Sequence, residues 1–214
     1  MKTLKRNWLA RQSNSLLRKA IRNFPWGVKR KILDMPPIET NPESRDCLVV
    51  VTTPSKTLEA VWAAYTFLFW HRYDVHLKVV LDGAIPIQAH KIFNDLLPKC
   101  ELVCANDIIS ELEHHKNLSS FCRRSRFGRK FAAVCISNQR KRIVYSDDDV
   151  LFFSKSSYIS EWLSSEANVH AMYSTDPGSR GVMQDSHEII ELFGATPPKR
   201  FNAGFFCAEQ SLFD

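Results

Sequence analysis

The 214-residue chain lacks any apolar run that could cross a bilayer, which takes about 18 consecutive apolar residues. Its longest apolar stretch, Ala60 to Trp70, fits a buried helix better. No apolar segment with a small-residue cleavage site follows the basic N-terminus, so no signal peptide is predicted. Internal repeats and low-complexity stretches are also missing. The length suits one well-buried domain and is too short for two ordinary ones.

Disulfide and zinc frameworks are missing as well. The six cysteines are scattered without the spacing of a disulfide scaffold, and Cys100 and Cys104 have no second pair at metal-ligand spacing. Free thiols, mostly among apolar neighbours, indicate a reducing compartment. We therefore expect a cytoplasmic protein.

Acidic residues are absent from the first 33 positions, which contain ten Lys or Arg. The formal charge of +6 therefore arises from this extension, and the chain from Asp34 onward is mildly acidic. One interpretation is a basic amphipathic helix that contacts an anionic membrane, peripherally on its inner face. The other is a helix packed on the domain, or a frayed tail; the composition also faintly resembles a transit peptide. Because the domain itself is not basic, no nucleic-acid partner is expected.

Apolar runs alternate with helical periodicity from residue 46 onward, so we expect a basic helical extension and linker over 1–45 and an α/β domain over 46–214. Such alternation predicts a mostly parallel sheet flanked by helices. The predicted strands are Cys47–Val51, Val75–Leu81, Glu101–Cys104, Arg142–Ser146, Val169–Ser174 and Phe201–Ala208. The predicted helices are Pro54–Trp70 with Thr53 as its cap, Ile87–Leu97, one starting at Asn106 or Asp107, and Phe127–Ser137. Ligands of such sheets bind beyond the carboxyl ends of the strands.

Three adjacent carboxylates follow one of these strands, at Asp147, Asp148 and Asp149. Adjacent anions between apolar runs need a compensating cation or hydrogen-bond donors. Their hard oxygen ligands suit Mg²⁺ or Mn²⁺, which also bridge to substrate phosphates. In an extended chain Asp147 and Asp149 would lie on one side, about 7 Å apart. An acidic turn facing solvent is the alternative.

The stretch Tyr145-Ser-Asp-Asp-Asp149-Val-Leu-Phe-Phe resembles the Asp-x-Asp motif of GT-A glycosyltransferases, which use nucleotide-diphosphate sugars. The resemblance implies the GT-A (Rossmann-like) fold. It also implies that Asp147 and Asp149 hold Mn²⁺ or Mg²⁺ against the donor, with Asp148 among the donor-binding residues. The later segment Phe201-Asn-Ala-Gly204 is similar to the Phe-Asn-Ser/Ala-Gly segment of glycogenin-like members. There Asn202 would lie near the donor sugar, and Gly204 would let the backbone approach it.

Weaker matches to the same family lie earlier in the chain, in the order in which the family has them. By resemblance Thr52 and Thr53 would hold the nucleoside, Asp82 would meet the base, and Lys130, in Gly128-Arg129-Lys130, would reach the diphosphate. Helix capping, a turn or a surface position would explain these residues equally well.

The sequence departs from the glycogenin-like pattern near its end. Such enzymes carry a further metal-binding His beyond the Phe-Asn-Ala-Gly strand, whereas His187, with Asp185 and Glu188, precedes it. We therefore expect the domain to be incomplete at its C-terminal end, and no catalytic residue is assigned.

The resemblance implies a metal-dependent hexosyltransferase in polysaccharide synthesis, with retention of configuration slightly favoured. The expected donor is a UDP-sugar and the acceptor a glycan or lipid-linked sugar. A catalytically inactive sugar-nucleotide-binding module is the alternative, and a HAD-like phosphatase a remote one. A sugar nucleotidyltransferase would need a glycine-rich loop after the first strand, which this chain lacks.

Overall fold

The computed structural model describes residues 29–71, 74–135, 141–164, 171–175 and 201–209. By its contacts the chain divides into two units, Met1–Met35 and Pro36–Asp214. In the first unit a short 3₁₀ helix spans Lys31–Asp34. The amphipathic helix predicted upstream of it lies outside the described residues.

The second unit contains six strands in one sheet, in the order β3-β2-β1-β4-β6-β5. The strands are β1 Asp46–Thr52, β2 His76–Leu81, β3 Glu101–Cys104, β4 Arg142–Asp147, β5 Ala171–Thr175 and β6 Phe201–Glu209. The first four are parallel to one another, and β6 pairs antiparallel with both β4 and β5. The predicted mostly parallel α/β sheet is therefore confirmed.

Six α-helices are described with this sheet. They are α1 Thr57–His71, α2 Ile87–Leu96, α3 Ala105–Glu111, α4 Lys116–Arg124, α5 Arg126–Cys135 and α6 Ser157–Ser164. The sequence predicted α1, α2, α3 and α5 but not α4 or α6, because those two are short and largely polar on the outside. Among the described residues, no helix is long and apolar enough to span a bilayer.

The apolar run of β1 is buried on both faces, as its composition predicts. Cys47 and Val49 belong to a cluster with Ile108 and Ile109 of α3 and Ala133 of α5. The alternate residues of β1 are equally buried on the other face, where α1 packs. This three-layer packing fixes the strand ends that carry the polar residues.

An ion pair links the start of β1 to the start of β4. Arg142 donates from Nε and Nη2 to the two oxygens of Asp46, over 2.8 and 2.7 Å. The two residues are also partners in the strand register. Arg142 donates a third hydrogen bond to the carbonyl of Trp162 in α6. These contacts tie α6 to the central strand pair.

The start of α1 differs in detail from the prediction. Pro54–Lys56 form a 3₁₀ turn before α1, and Thr53 occupies the capping position, but its side chain makes no capping hydrogen bond. Its hydroxyl pairs with that of Ser55 instead, at 3.1 Å. Thr53 as a side-chain cap was therefore wrong, while the position of Pro54 was right.

Candidate functional site

Strands β1 and β4 lie side by side at the point where the strand order reverses. Chain segments leaving two such strands diverge to opposite sides, which opens a crevice at their carboxyl ends. Thr52 ends β1 and Asp147 ends β4, so both predicted residues lie at this crevice. Asp82 follows β2 at the same edge, and its N–H donates to the carbonyl of Thr52 over 2.7 Å.

The three carboxylates do not continue as a strand. β4 ends at Asp147, and the chain turns through Asp148 and Asp149, with the N–H of Val150 donating to the Asp147 carbonyl over 3.2 Å. The expected extended geometry of Asp147 and Asp149 was therefore wrong. A turn closes here because Asp148 is drawn inward by partners on β1 and the 3₁₀ turn after it.

Asp148 is the buried member of the cluster, with 6% of its surface exposed. It accepts a hydrogen bond from Thr52 Oγ1 at 2.9 Å and an ion pair from Lys56 Nζ at 2.7 Å. Partial burial lowers the pKa of Lys56, but the hydrogen bond and charge of Asp148, with Asp149 adding to them, outweigh it and raise that pKa. Lys56 therefore remains a cation, and the Asp148 carboxylate is compensated.

Asp147 is held by two donors. Lys130 Nζ lies 2.6 and 2.7 Å from its two oxygens, and the Tyr145 hydroxyl donates to Oδ1 over 2.5 Å. Burial, followed by the negative charge of Asp147, raises the pKa of Tyr145 above its ordinary value, so the phenol stays protonated. The Tyr145 ring stacks on the ring of Phe206 in β6, with the two ring centroids 4.9 Å apart. This packing orients the hydroxyl toward Asp147.

Asp149 has different surroundings, because its side chain is exposed. In the described part of the chain its carboxylate has no hydrogen-bond or ion-pair partner. The cluster thus presents one buried, one half-buried and one exposed carboxylate.

A second ion pair borders the crevice. Arg129 Nη1 donates to Asp82 Oδ2 over 2.5 Å, and its Nη2 donates to the Arg123 carbonyl. Arg129 Nε is buried without a hydrogen-bond partner among the described residues. Helix α5 therefore delivers two neighbouring cations, one to each side of the crevice.

Gly83 allows the loop after β2 to approach the 3₁₀ turn after β1. Its φ is +136°, and a Cβ there would lie 3.1 Å from Pro54 Cγ. Cys104, at the end of β3, donates from Sγ to the Gly83 carbonyl over 3.4 Å. The carboxyl ends of β1, β2 and β3 are thereby joined around the crevice.

The backbone of β6 reaches the same edge. Its last pair with β4 is Phe205 with Ser146, and Gly204 and Asn202 precede Phe205 in β6. The Asn202 side chain lies outside the described residues, as do His187, Asp185 and Glu188. The pairing of β6 with β4 thus ends one residue from the Phe-Asn-Ala-Gly segment on β6 and one residue from Asp147 on β4.

Two participants were not assigned from the sequence. They are Lys56, which follows the first strand, and Tyr145, which belongs to the acidic motif. The signal for Lys56 was the acidic cluster itself, since a buried carboxylate next to a strand end needs a cation.

A cavity of about 590 Å³ lies elsewhere, lined by residues that include Leu68, Phe69, Asp74 and Lys99. Asp74 and Lys99 precede β2 and β3, so this cavity is at the amino ends of the strands. Substrates of open α/β sheets bind at the opposite ends. The crevice at β1 and β4 is therefore the candidate site.

Solved structures share this architecture. Mouse xyloside xylosyltransferase 1, in its apo form, superposes with a TM-score of 0.50 at 13% identity, over 81% of this chain and 68% of its own. The galactosyltransferase LgtC, in complex with donor and acceptor sugar analogs, gives a TM-score of 0.50 at 15% identity, over 78% of this chain and 59% of its own. No protein-family profile and no curated protein sequence matches the chain.

The chain has the GT-A glycosyltransferase fold, as the motif resemblance implied. It spans between about three fifths and two thirds of the two neighbours' lengths. At such low identity the likeness establishes the fold alone. The acidic motif of HAD-like phosphatases generally comes near the start of their domain. Here three strands precede the strand that carries the acidic turn, which argues against that alternative.

Proposed function

We propose that the chain is a metal-dependent glycosyltransferase that moves a hexose or similar sugar from a nucleotide-diphosphate donor, preferably a UDP-sugar, to a glycan or lipid-linked acceptor. One observation carries the proposal: the acidic turn lies at the β1/β4 crevice with Lys56, Arg129 and Lys130 around it. Carboxylates and cations arranged together at a strand-end crevice suit a ligand that combines a divalent cation with phosphates.

The donor groups of the turn fit Mn²⁺ or Mg²⁺ by their chemistry. Asp149 offers an exposed carboxylate and Asp147 a partly exposed one, and both are hard oxygen ligands. Within the described residues no group of three His, Cys, Asp or Glu side chains is already arranged around a metal position. These ions usually keep several waters and take substrate phosphates as further ligands.

The chain's own cations would act on the diphosphate. Lys130 is held by Asp147 at the crevice, where its ammonium would also face the phosphates of a bound donor. Arg129 lies next to it and pairs with Asp82. When bound, the metal would neutralise the charge that develops on the departing diphosphate. Lys130 and Arg129 would add positive charge in the same place.

The remaining donor contacts are proposed from position. Thr53 and Asp82 lie at the ends of β1 and β2, where the nucleoside would sit. Thr52, which ends β1, would hold the acidic turn beside them through its hydrogen bond to Asp148. Gly204 and Asn202 of β6 would border the donor sugar. We propose transfer with retention of configuration, which the anomeric proton signals of the product would identify.

The decisive experiment is calorimetric titration of UDP-sugars into the protein with and without Mn²⁺. We expect binding to depend on Mn²⁺, and Asp149→Asn to abolish that dependence because it removes the exposed anionic ligand. The matched control is Asp95→Asn, an exposed aspartate on α2, which should leave the affinity unchanged. Unchanged Mn²⁺-dependent affinity in Asp149→Asn would refute the role of the turn.

Turnover is measured separately, because no catalytic residue is assigned. A thermal-shift screen of nucleotide sugars with Mn²⁺ identifies the donor, since a ligand at 100 times its Kd stabilises by about 2.7 kcal/mol. Release of the free nucleotide in the presence of glycan or lipid-linked acceptors then tests transfer. Binding without release would favour the inactive sugar-nucleotide-binding module.

The cellular setting stays a proposal as well. We place the protein in the cytoplasm, with peripheral membrane contact through residues 1–33, where ten cations and no acid occur. Removal of residues 1–28 should lower its recovery in a membrane fraction. Unchanged recovery would assign the extension another role.

A further inference from the structure

Helices α4 and α5 form a hairpin whose outer surface combines phenylalanines with cations. Phe121, Phe127 and Phe131 are 48, 65 and 41% exposed, although apolar rings of this size are usually buried. From residue 116 to residue 135 the chain has six Lys or Arg and no Asp or Glu. We call the three rings and the exposed cations of this segment the α4–α5 surface.

The two helices of the hairpin approach each other closely at their crossing point. Ser125 is extended between the helices, and Gly128 packs against the backbone of α4 so closely that a Cβ would lie 2.6 Å from the Phe121 carbonyl. Phe127 directly precedes Gly128 in α5, and Phe131 lies one helical turn after Phe127. The three rings are therefore carried by two helices in direct contact, rather than by a loop.

The cations of the hairpin fall into two groups. Arg123, Arg129 and Lys130 are paired with Glu113, Asp82 and Asp147. Lys116, Arg124 and Arg126 are exposed, and no ion pair involves them in the part of the chain that the structure describes. The two helices that carry the exposed rings thus also carry three exposed cations.

We propose that the α4–α5 surface binds an anionic lipid membrane. Exposed phenyl rings enter the boundary of the hydrocarbon region, while neighbouring cations attract anionic headgroups. The rings carry no polar group, which suits insertion into hydrocarbon. Bases of a single-stranded nucleic acid also stack on such rings, so oligonucleotide binding is measured as the competing outcome.

The same hairpin adjoins the crevice. Arg129 and Lys130 of α5 reach Asp82 and Asp147, so a membrane on the α4–α5 surface would lie close to the carboxyl ends of the strands. The proposal concerns residues other than 1–33 and does not depend on transferase activity, since it is tested without a nucleotide. If both proposals hold, a lipid-linked acceptor would be presented beside the site.

The test is co-sedimentation of the whole chain with phosphatidylcholine vesicles, with and without phosphatidylglycerol. We expect binding to the anionic vesicles, and a decrease of about fivefold in the partition coefficient for each cation removed in Arg124→Gln and Arg126→Gln. Phe121→Ser with Phe127→Ser should lower it about tenfold. The charge variants alter only exposed side chains, so they keep the test valid if the phenylalanine variant does not fold.

The matched control combines Lys91→Gln with Tyr158→Ser, an exposed cation on α2 and an exposed ring on α6, and should bind as the wild type does. Every variant keeps residues 1–33. Equal binding of the charge variants and the wild type would overturn the proposal. So would a loss confined to single-stranded oligonucleotide binding, or a change of oligomeric state in sedimentation without a change in vesicle binding.

Discussion

Asp148 is surrounded differently from the two aspartates beside it. It is buried between Thr52 and Lys56, whereas Asp147 meets Lys130 and Asp149 faces solvent. Its contacts join the end of β4 to the end of β1. We therefore expect Asp148 to position the turn, leaving its neighbours to bind the cation.

Replacing Lys56 tests whether Asp148 positions the acidic turn. Lys56→Met leaves the buried Asp148 carboxylate with Thr52 as its remaining partner, and should lower the free energy of unfolding by about 1–3 kcal/mol. The lower end is expected, because 45% of the Lys56 side chain is exposed. The Kd for a UDP-sugar with Mn²⁺ should rise, and Lys56→Arg should restore part of the affinity. Urea unfolding and calorimetry measure the two effects.

A double-mutant cycle supplies the control. Asp148→Asn combined with Lys56→Met should cost less than the sum of the single changes, because each removes the partner that the other leaves unpaired. Strict additivity would mean that the ion pair contributes nothing to the turn.

The sequence alone located the acidic site, but it did not show which of the three aspartates is buried and which face the crevice. Three aspartates after an apolar strand predict a compensated cluster whichever side chain is buried. Which one is buried depends on Thr52 and Lys56, more than ninety positions earlier. That contact exists only once β1 and β4 are neighbours, so no local pattern contains it.

Elements with long apolar runs were predicted within a few residues. β1, β2 and α1 are long and apolar, and β3 matches its predicted bounds, Glu101–Cys104. α4 was missed because its sequence is mostly polar and its helix has only nine residues. Its place is fixed by α5, which packs on it at Gly128, and by Leu118 and Cys122, which join the core cluster.

Gly128 determines how closely these two helices approach. In Gly128→Ala the added Cβ would lie 2.6 Å from Phe121 O and from Cys122 Cα, and backbone atoms cannot turn aside. We expect a loss of about 1–3 kcal/mol in the free energy of unfolding, as for overpacking in a core. Denaturant unfolding measures it.

The comparison for this prediction is Arg126→Ala, at an exposed position of the same helix, which should change stability by at most about 0.5 kcal/mol. Wild-type stability of Gly128→Ala would contradict the close approach. Because Arg129 and Lys130 follow directly, the variant should also weaken binding of the UDP-sugar.

For the whole molecule, the β/α alternation predicted the fold class but not the strand order. Placing β4 beside β1 and adding the antiparallel β6 depends on contacts between distant segments. The predicted boundary between extension and domain, at residues 45 and 46, stays a prediction. The structure divides the chain at residues 35 and 36, and the linker joins the second unit through the hydrogen bond from Tyr65 to the Pro36 carbonyl.

Folding also buries His71, which connects α1 to the segment after the acidic turn. Nδ1–H donates to the Phe67 carbonyl, and Nε2 accepts from the N–H of Ser156, so the ring is held neutral. Burial, opposed by the Phe67 hydrogen bond and aided by the charge of Lys155, lowers the pKa of His71 below 6.5.

Stability should therefore depend on pH through this group. Below about pH 6.5 the unfolded chain binds a proton that the folded His71 does not, so the free energy of unfolding falls until the pH passes below the folded pKa. His71→Gln should remove this part of the slope, whatever its effect at neutral pH. Urea unfolding between pH 7 and about pH 5 measures the slope. His90→Gln, at an exposed position of α2, should keep the wild-type slope, and identical slopes for wild type and His71→Gln would contradict the assignment of this titration to His71.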